Sequence, residues 1–568
     1  MHLLRHLRPP EFSVALAIRL SFIIALAAGT TDSVQAQRVL GPWDDATVLP
    51  RGLLRVGISP TWGRYHQRFA DGRGRSAKGT AEPLAADFSL DSLNGARFSP
   101  LGGINAGLQS ILGAAGALPL TLGPLQARFD AAVTRTPITV EYGVTKRVML
   151  GAVIPMVKTR TEVSLNPNPG GTGGNVGVNP AFFGADSRAL NQQVVFEIAA
   201  AAQALQLRLQ QCVGSSAPEC TAINADRGGA QALATAATSA AAGIENVYGV
   251  SASKPGARFA PTERSSVQVS VRNRLTSLSA DFAGFLGAPA SGSAWIAGRP
   301  VGAPAMAFAD FQRILTDSGF GVRADSLVSV EMNRLGDIEL GAKLLLFDSF
   351  GATTAQRAAL GGVKMRLALG GAYRFGTGQR DSVDHFADIG TGDGQTDLEG
   401  RVFFDLLAGR RFWASIAGRY TVQQADELAQ RVPLTPHEPF PLASRRLVLR
   451  RDLGDVVAID VSPRFVLNDN FAFGGALQWM SKAADVWSTG DASPGTEIDV
   501  SLLALGSART EQRALVSLTY SNLAQYFRRQ ARSPMEVSLT WGRTLAGSGG
   551  AAKQSITALS VRVYNQLF

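Results

Sequence analysis

Long apolar runs, cysteine, histidine and charge are all scarce in this 568-residue chain, and each shortage excludes something. Beyond a short apolar core near its start, no stretch reaches the ~18 residues that a membrane-spanning helix needs. The 2 cysteines cannot build a disulfide scaffold or a four-thiolate zinc site. Beyond residue 36 only His66, His385 and His437 remain. Two positions on from these stand Arg68, Ala387 and Pro439, so the nucleophile–base pair of an acyl-transferring barrel is missing. No enzyme, cofactor or metal is therefore expected. Charged residues make up 18%, and no basic binding module accompanies them, which excludes nucleic acid as a partner.

Alternation fills the space that these shortages leave. Val363, Met365, Leu367, Leu369, Gly371, Tyr373 and Phe375 form one period-2 row, with Lys364, Arg366, Ala368 and Arg374 on the other. Phe412, Ala414, Ile416, Gly418, Tyr420 and Val422 repeat it, as do Val457 to Leu467 and Phe471 to Trp479. In a strand such rows face opposite sides of a sheet. Strands of this length ending in aromatics predict an all-β transmembrane barrel of about twelve antiparallel strands, with lipid outside and a polar lumen inside. Tight turns fall at Thr145-Lys146-Arg147, Gly409-Arg410-Arg411 and Asn468-Asp469-Asn470. An even strand count puts them all at one end and the longest connections at the other. Parity also moves Ile498–Leu505 out of the wall and into a loop.

The chain's start and finish agree with export to an outer membrane. Arg5, Arg8 and Arg19 accompany the apolar core Leu20–Ala28, and Val34-Gln35-Ala36 offers small residues for cleavage. Residues 1–36 thus read as an export signal and 37–568 as the mature barrel. Phe568 on a final amphipathic strand, with Tyr564 upstream, resembles the signal read by the barrel assembly machinery. Removing the signal takes three arginines and two acids from 55 basic and 45 acidic residues, leaving a net charge of +9. That excess suits outer-membrane lipid and lipopolysaccharide as partners.

Residues 166–325 depart from the alternation. After a flexible Asn166–Gly174 they predict helices over 187–211, 229–246, 262–285 and 307–317, a helical extracellular insertion that caps or plugs the barrel. Asp186 and Thr262 stand as caps for the first and third. Cys212 and Cys220, eight positions apart in an exported chain and with no histidine near, predict a disulfide.

On the inward rows stand Asp337, Glu339, Lys364, Arg366, Arg401, Asp405, Arg419, Asp460 and Arg464, with Arg374, Asp397 and Glu399. Opposite charges on neighbouring strands can neutralise one another inside a narrow barrel, which is favoured over an ion-selective lining. Asp388, Asp393 and Asp397 among glycines miss the calcium-loop spacing, so 384–399 reads as a solvated turn.

Two phrases carry a resemblance. Glu141-Tyr-Gly-Val-Thr-Lys-Arg147 with Leu150-Gly-Ala-Val-Ile-Pro155, and Gly336-Asp-Ile-Glu-Leu-Gly-Ala-Lys343, resemble outer-membrane proteins of the meta-pathway phenol-degradation family. That family is grouped loosely with fatty-acid and toluene channels. The resemblance implies a barrel that passes a small, hydrophobic substrate; a structural or adhesive surface protein is the alternative.

Overall fold

The computed structural model describes residues 45–73, 76–113, 118–287, 298–350, 362–409, 411–489 and 498–566; the expected export signal, residues 1–36, and Phe568 lie outside them. The wall begins with β1 (Leu53–Ile58 and Thr61–Tyr65), β2 (Leu125–Gly143), β3 (Val148–Pro167) and β4 (Val330–Leu335 and Glu339–Asp348). It continues with β5 (Val363–Arg374), β6 (Asp397–Ala408), β7 (Phe412–Gln423) and β8 (Val456–Val466). The last four are β9 (Phe471–Lys482), β10 (Arg509–Ser521), β11 (Met535–Ser548) and β12 (Ser555–Gln566). The 14 strand segments of the sheet make twelve spanning strands, because β1 and β4 are each interrupted once. Each pairs antiparallel with its neighbour in sequence. β12 returns to β1, with Leu53 opposite Gln566 and Ile58 opposite Val561, so the barrel closes without a free edge.

Alternation sets which side each residue takes. Val402, Ile416, Ile459 and Leu477 lie on the exposed outer face, and Arg366, Asp405 and Asp460 are buried inside. A twelve-residue strand rises about 40 Å, and tilted in a barrel it spans about 30 Å of apolar thickness. The short turns are local chemistry. Asn468 accepts from the backbone N–H groups of Asn470 and Phe471 at 2.9 Å, and Thr145 Oγ1 accepts from those of Arg147 and Val148. Val500–Leu503 is a single 3-10 turn outside the wall. The two interruptions flank β2 and β3. At the first, Pro60 has no N–H to donate and its carbonyl instead accepts from Leu559. At the second, Gly336-Asp337-Ile338 leaves the ladder to meet Thr377 and Gly378.

The insertion is a folded helical cap. Its helices, with one from the β1–β2 connection, are α1 (Asn105–Leu112), α2 (Ala185–Gln211), α3 (Arg227–Tyr248), α4 (Ser266–Leu286) and α5 (Phe308–Thr316). The boundaries differ from expectation in small ways. α2 begins two residues earlier, so Asp186 lies in its first turn rather than capping it. Ser265, not Thr262, caps α4 by accepting from the Gln268 N–H. Close approach is built from small residues. A Cβ on Gly107 of α1 would stand 2.5 Å from Val247, and one on Gly243 of α3 would stand 2.6 Å from the Gly107 carbonyl. Cys212, at the end of α2, is joined to Cys220 by a disulfide.

β2 and β3 run on past the wall, and Leu125 and Phe129 enter the cap's core. Phe440 is fully buried where four parts of the chain converge. Its ring meets Phe88, Phe311 and Phe386 at 5.5–5.6 Å, from the β1–β2 connection, α5 and the β5–β6 connection. The cap is therefore fastened to several connections rather than hanging from one.

Candidate transport lumen

Each inward position is fixed by strand register, and cross-strand neighbours decide what it meets. In the middle of the lumen Arg401 on β6 donates to Glu339 on β4 at 2.7 Å and also bonds Glu399. Arg374 on β5 bridges Asp397 at 2.6 Å and Glu399 at 3.4 Å. Arg419 on β7 donates to Asp460 on β8 at 2.5 Å. Arg513 on β10 donates to Glu511 at 2.6 Å. Members of these pairs line a cavity of about 110 Å³, whose lining includes Arg374, Glu399, Arg419, Asp460, Gln478 and Arg513. A buried carboxylate is tolerated when a guanidinium satisfies it, and each of these acids has one.

Toward the short-turn end the lumen is occupied by the chain's own N-terminal segment. The Ala46 N–H donates to both Asp405 oxygens at 3.1 Å, and Ser415 donates to the same carboxylate at 2.9 Å. Arg366 donates to Thr47 Oγ1 at 2.7 Å and stands 3.6 Å from Asp405 and 3.8 Å from Asp348. Lys343 donates to the Asp45 carbonyl at 2.7 Å, its ammonium 4.1 Å from the centre of the Phe403 ring. Ala46 packs fully buried against Ala368, Phe403 and Ala417. Burial would raise the Asp45 carboxyl, but Lys343, Arg55, Arg464 and Arg366 outweigh that cost and hold it well below the usual carboxylate range.

At the other end the β5–β6 connection folds into the mouth, which corrects the reading of 384–399 as a solvated turn. Ala387 and Ile389 join the cap's core, and Thr391 and Asp393 are buried. Thr159 of β3 donates to the Ile389 carbonyl, and Thr391 to that of Leu335, both at 2.7 Å. Asp337 accepts from the Gly378 N–H at 2.8 Å, and a Cβ on Gly392 would come within 2.3 Å of its carboxylate. Arg431, from the β7–β8 connection, donates to Asp384 at 2.6 Å and to the Arg323 carbonyl at 2.8 Å. Polar composition was no guide here, because partners from distant strands satisfy the polar groups.

The structure thus brings Glu339 to Arg401, Arg366 to Asp405 and Arg419 to Asp460. Arg464 contributes only its field at Asp45, and Lys364 has no ion-pair partner among the described residues. Arg55 with Glu141, at 2.5 Å, and Arg513 with Glu511 complete the lining without having been singled out from sequence. Their alternation was visible. Asp45 to Thr47 gave no signal, since three residues before the first strand carry no periodicity.

No family model and no curated protein sequence matches the chain. Among solved structures it is similar to an outer membrane channel from Pseudomonas putida F1, at 9% identity over 92% of this chain and 98% of that one, with TM-score 0.37. It is also similar to the Ralstonia pickettii toluene transporter TbuX, at 8% identity over 92% and 90%, with TM-score 0.25. A Pseudomonas aeruginosa FadL homologue is similar at 8% identity over 91% and 90%, with TM-score 0.24. These superpositions are loose, and the functional reading rests on the barrel's own geometry.

Proposed function

We propose that the protein is an outer-membrane channel that passes small, hydrophobic molecules. The observation that carries this is a closed barrel whose lumen is obstructed at both ends by parts of its own chain. A purely structural barrel has no use for such fittings. A selective conduit does, because a twelve-strand lumen left open would still leak small solutes. In this reading the short turns face the periplasm, and the cap faces outside and meets the solute first.

The cap's surface supports the hydrophobic preference. Phe196 is 73% exposed, and Leu207, about three turns further along the same face of α2, is 51% exposed. Phe183 and Phe308 are exposed as well. Phe196 and Leu207 share one face of α2, and apolar groups gathered on one face suit contact with a hydrophobic solute. The same residues favour the second reading, in which the cap docks a partner and nothing is transported.

Uptake of a panel of aromatic and fatty compounds by cells with and without the protein separates the two. Transport gives faster accumulation of at least one compound class, and Phe196→Ser slows it severalfold without reducing the folded barrel in the membrane. Equal uptake across the panel, with folded barrel present, would leave the docking reading ahead.

A further inference from the structure

Charge is distributed unevenly over the outside of the barrel. The outward rows of β5 to β10 carry no charged residue. Among the described residues the exterior wall charge lies on β11 and β1 to β4, near the long-connection end, and most of it is internally paired. Lys158 meets Glu331 at 2.7 Å, Arg160 meets Glu162 at 2.7 Å, and Arg128 meets Asp130 at 2.9 Å. Arg64 of β1 and Arg543 of β11 are exposed and have no carboxylate partner among the described residues.

Register places these two cations together. Arg64 stands opposite Ser555 of β12, and Ser555 stands opposite Arg543, so the three form one outward row across adjacent strands. Two strand spacings separate the arginines by about 10 Å at the backbone, within reach of long side chains converging on one anion. The next outward row toward the short-turn end holds Trp62 opposite Thr557 and Thr557 opposite Trp541. Tryptophan settles where hydrocarbon gives way to headgroups. A residue two positions further along is about 7 Å higher, in the headgroup layer. An unpaired guanidinium on the lipid-facing wall at that level needs an anion that protein does not supply.

We propose that Arg64, Ser555 and Arg543 bind a phosphate on a phosphorylated lipid of the outer leaflet. Two guanidinium forks and a hydroxyl match the acceptor geometry of a phosphate. The tryptophan pair directly beneath offers apolar contact to the body of the same lipid, which favours a lipid over free phosphate. The site rests on the outer-membrane reading, but not on which solute the channel passes.

Native mass spectrometry of the purified full-length protein, with diphosphorylated lipid A as probe, tests it. The wild type should retain one lipid, and R64Q/R543Q should lower retention about tenfold, while R128Q, which breaks an already paired charge, leaves it unchanged. Heat-modified gel mobility reports whether each variant is folded; should the double variant fail to fold, R64Q and R543Q singly read the same loss. Equal retention by the folded charge variants would overturn the site. So would equal retention of the dephosphorylated lipid, or displacement of lipid A by an equal concentration of inorganic phosphate. Failure of the channel reading would appear as unchanged uptake, with lipid retention unaffected.

Discussion

Arg401 is held between Glu339 and Glu399, and that position decides what its loss would do. Removing the guanidinium leaves two buried carboxylates facing one another with their principal counter-charge gone. Breaking a buried pair from one side costs about 3–5 kcal/mol, whereas replacing both partners with neutral groups costs much less. Arg401→Ala should therefore destabilise the barrel by about that amount in denaturant titrations from lipid vesicles. Arg401→Met combined with Glu339→Gln should recover most of the loss. A double variant no more stable than the single would mean that the pair is not coupled. Composition and alternation were enough to place these residues on the inner face. Which acid each arginine takes depends on register between strands, and that is written nowhere in a single strand.

At the scale of elements, legibility followed periodicity. β5 to β9 alternate cleanly and end in turn-forming residues, so their limits were readable from sequence. β2 and β3 run past their neighbours in the wall, since 125–130 and 162–167 pair within it only with each other and serve the cap. There Phe129 and Leu125 obey a different interior. The burial of the β5–β6 connection is not legible in sequence, because a buried polar loop and a solvated one have the same composition. The alternation itself can be tested by chemistry, since the described residues contain no free thiol. Ile416→Cys, on the outer row of β7, should resist a membrane-impermeant maleimide in intact membranes. Ser253→Cys, in an exposed turn of the cap, should react readily. Labelling of both at similar rates would mean that β7 does not face lipid.

For the molecule as a whole, the N-terminal segment and the cap turn a simple barrel into a closed one. Asp45 supplies a handle on the closure at the short-turn end. Its carboxyl is held below its ordinary range, so the stabilisation it gives is complete above the unfolded value of about 3.9 and is lost as pH falls through the lowered one. Conductance through the barrel in planar bilayers should therefore be low at neutral pH and rise under strong acid. Asp45→Asn should raise it at pH 7 already, and identical conductance in that variant would show that the segment does not limit flow. The pairing of β1 with β12 has a further consequence, for the order of folding. Every other neighbouring pair in the wall is adjacent in sequence, but Leu53 finds Gln566 only across about five hundred residues. The hairpins β2–β3, β6–β7 and β8–β9, closed by short turns, can pair early and locally. The seam must come last, after the final strand exists. Until then the growing sheet exposes two unpaired edges, and a chain cut short before β12 never loses them.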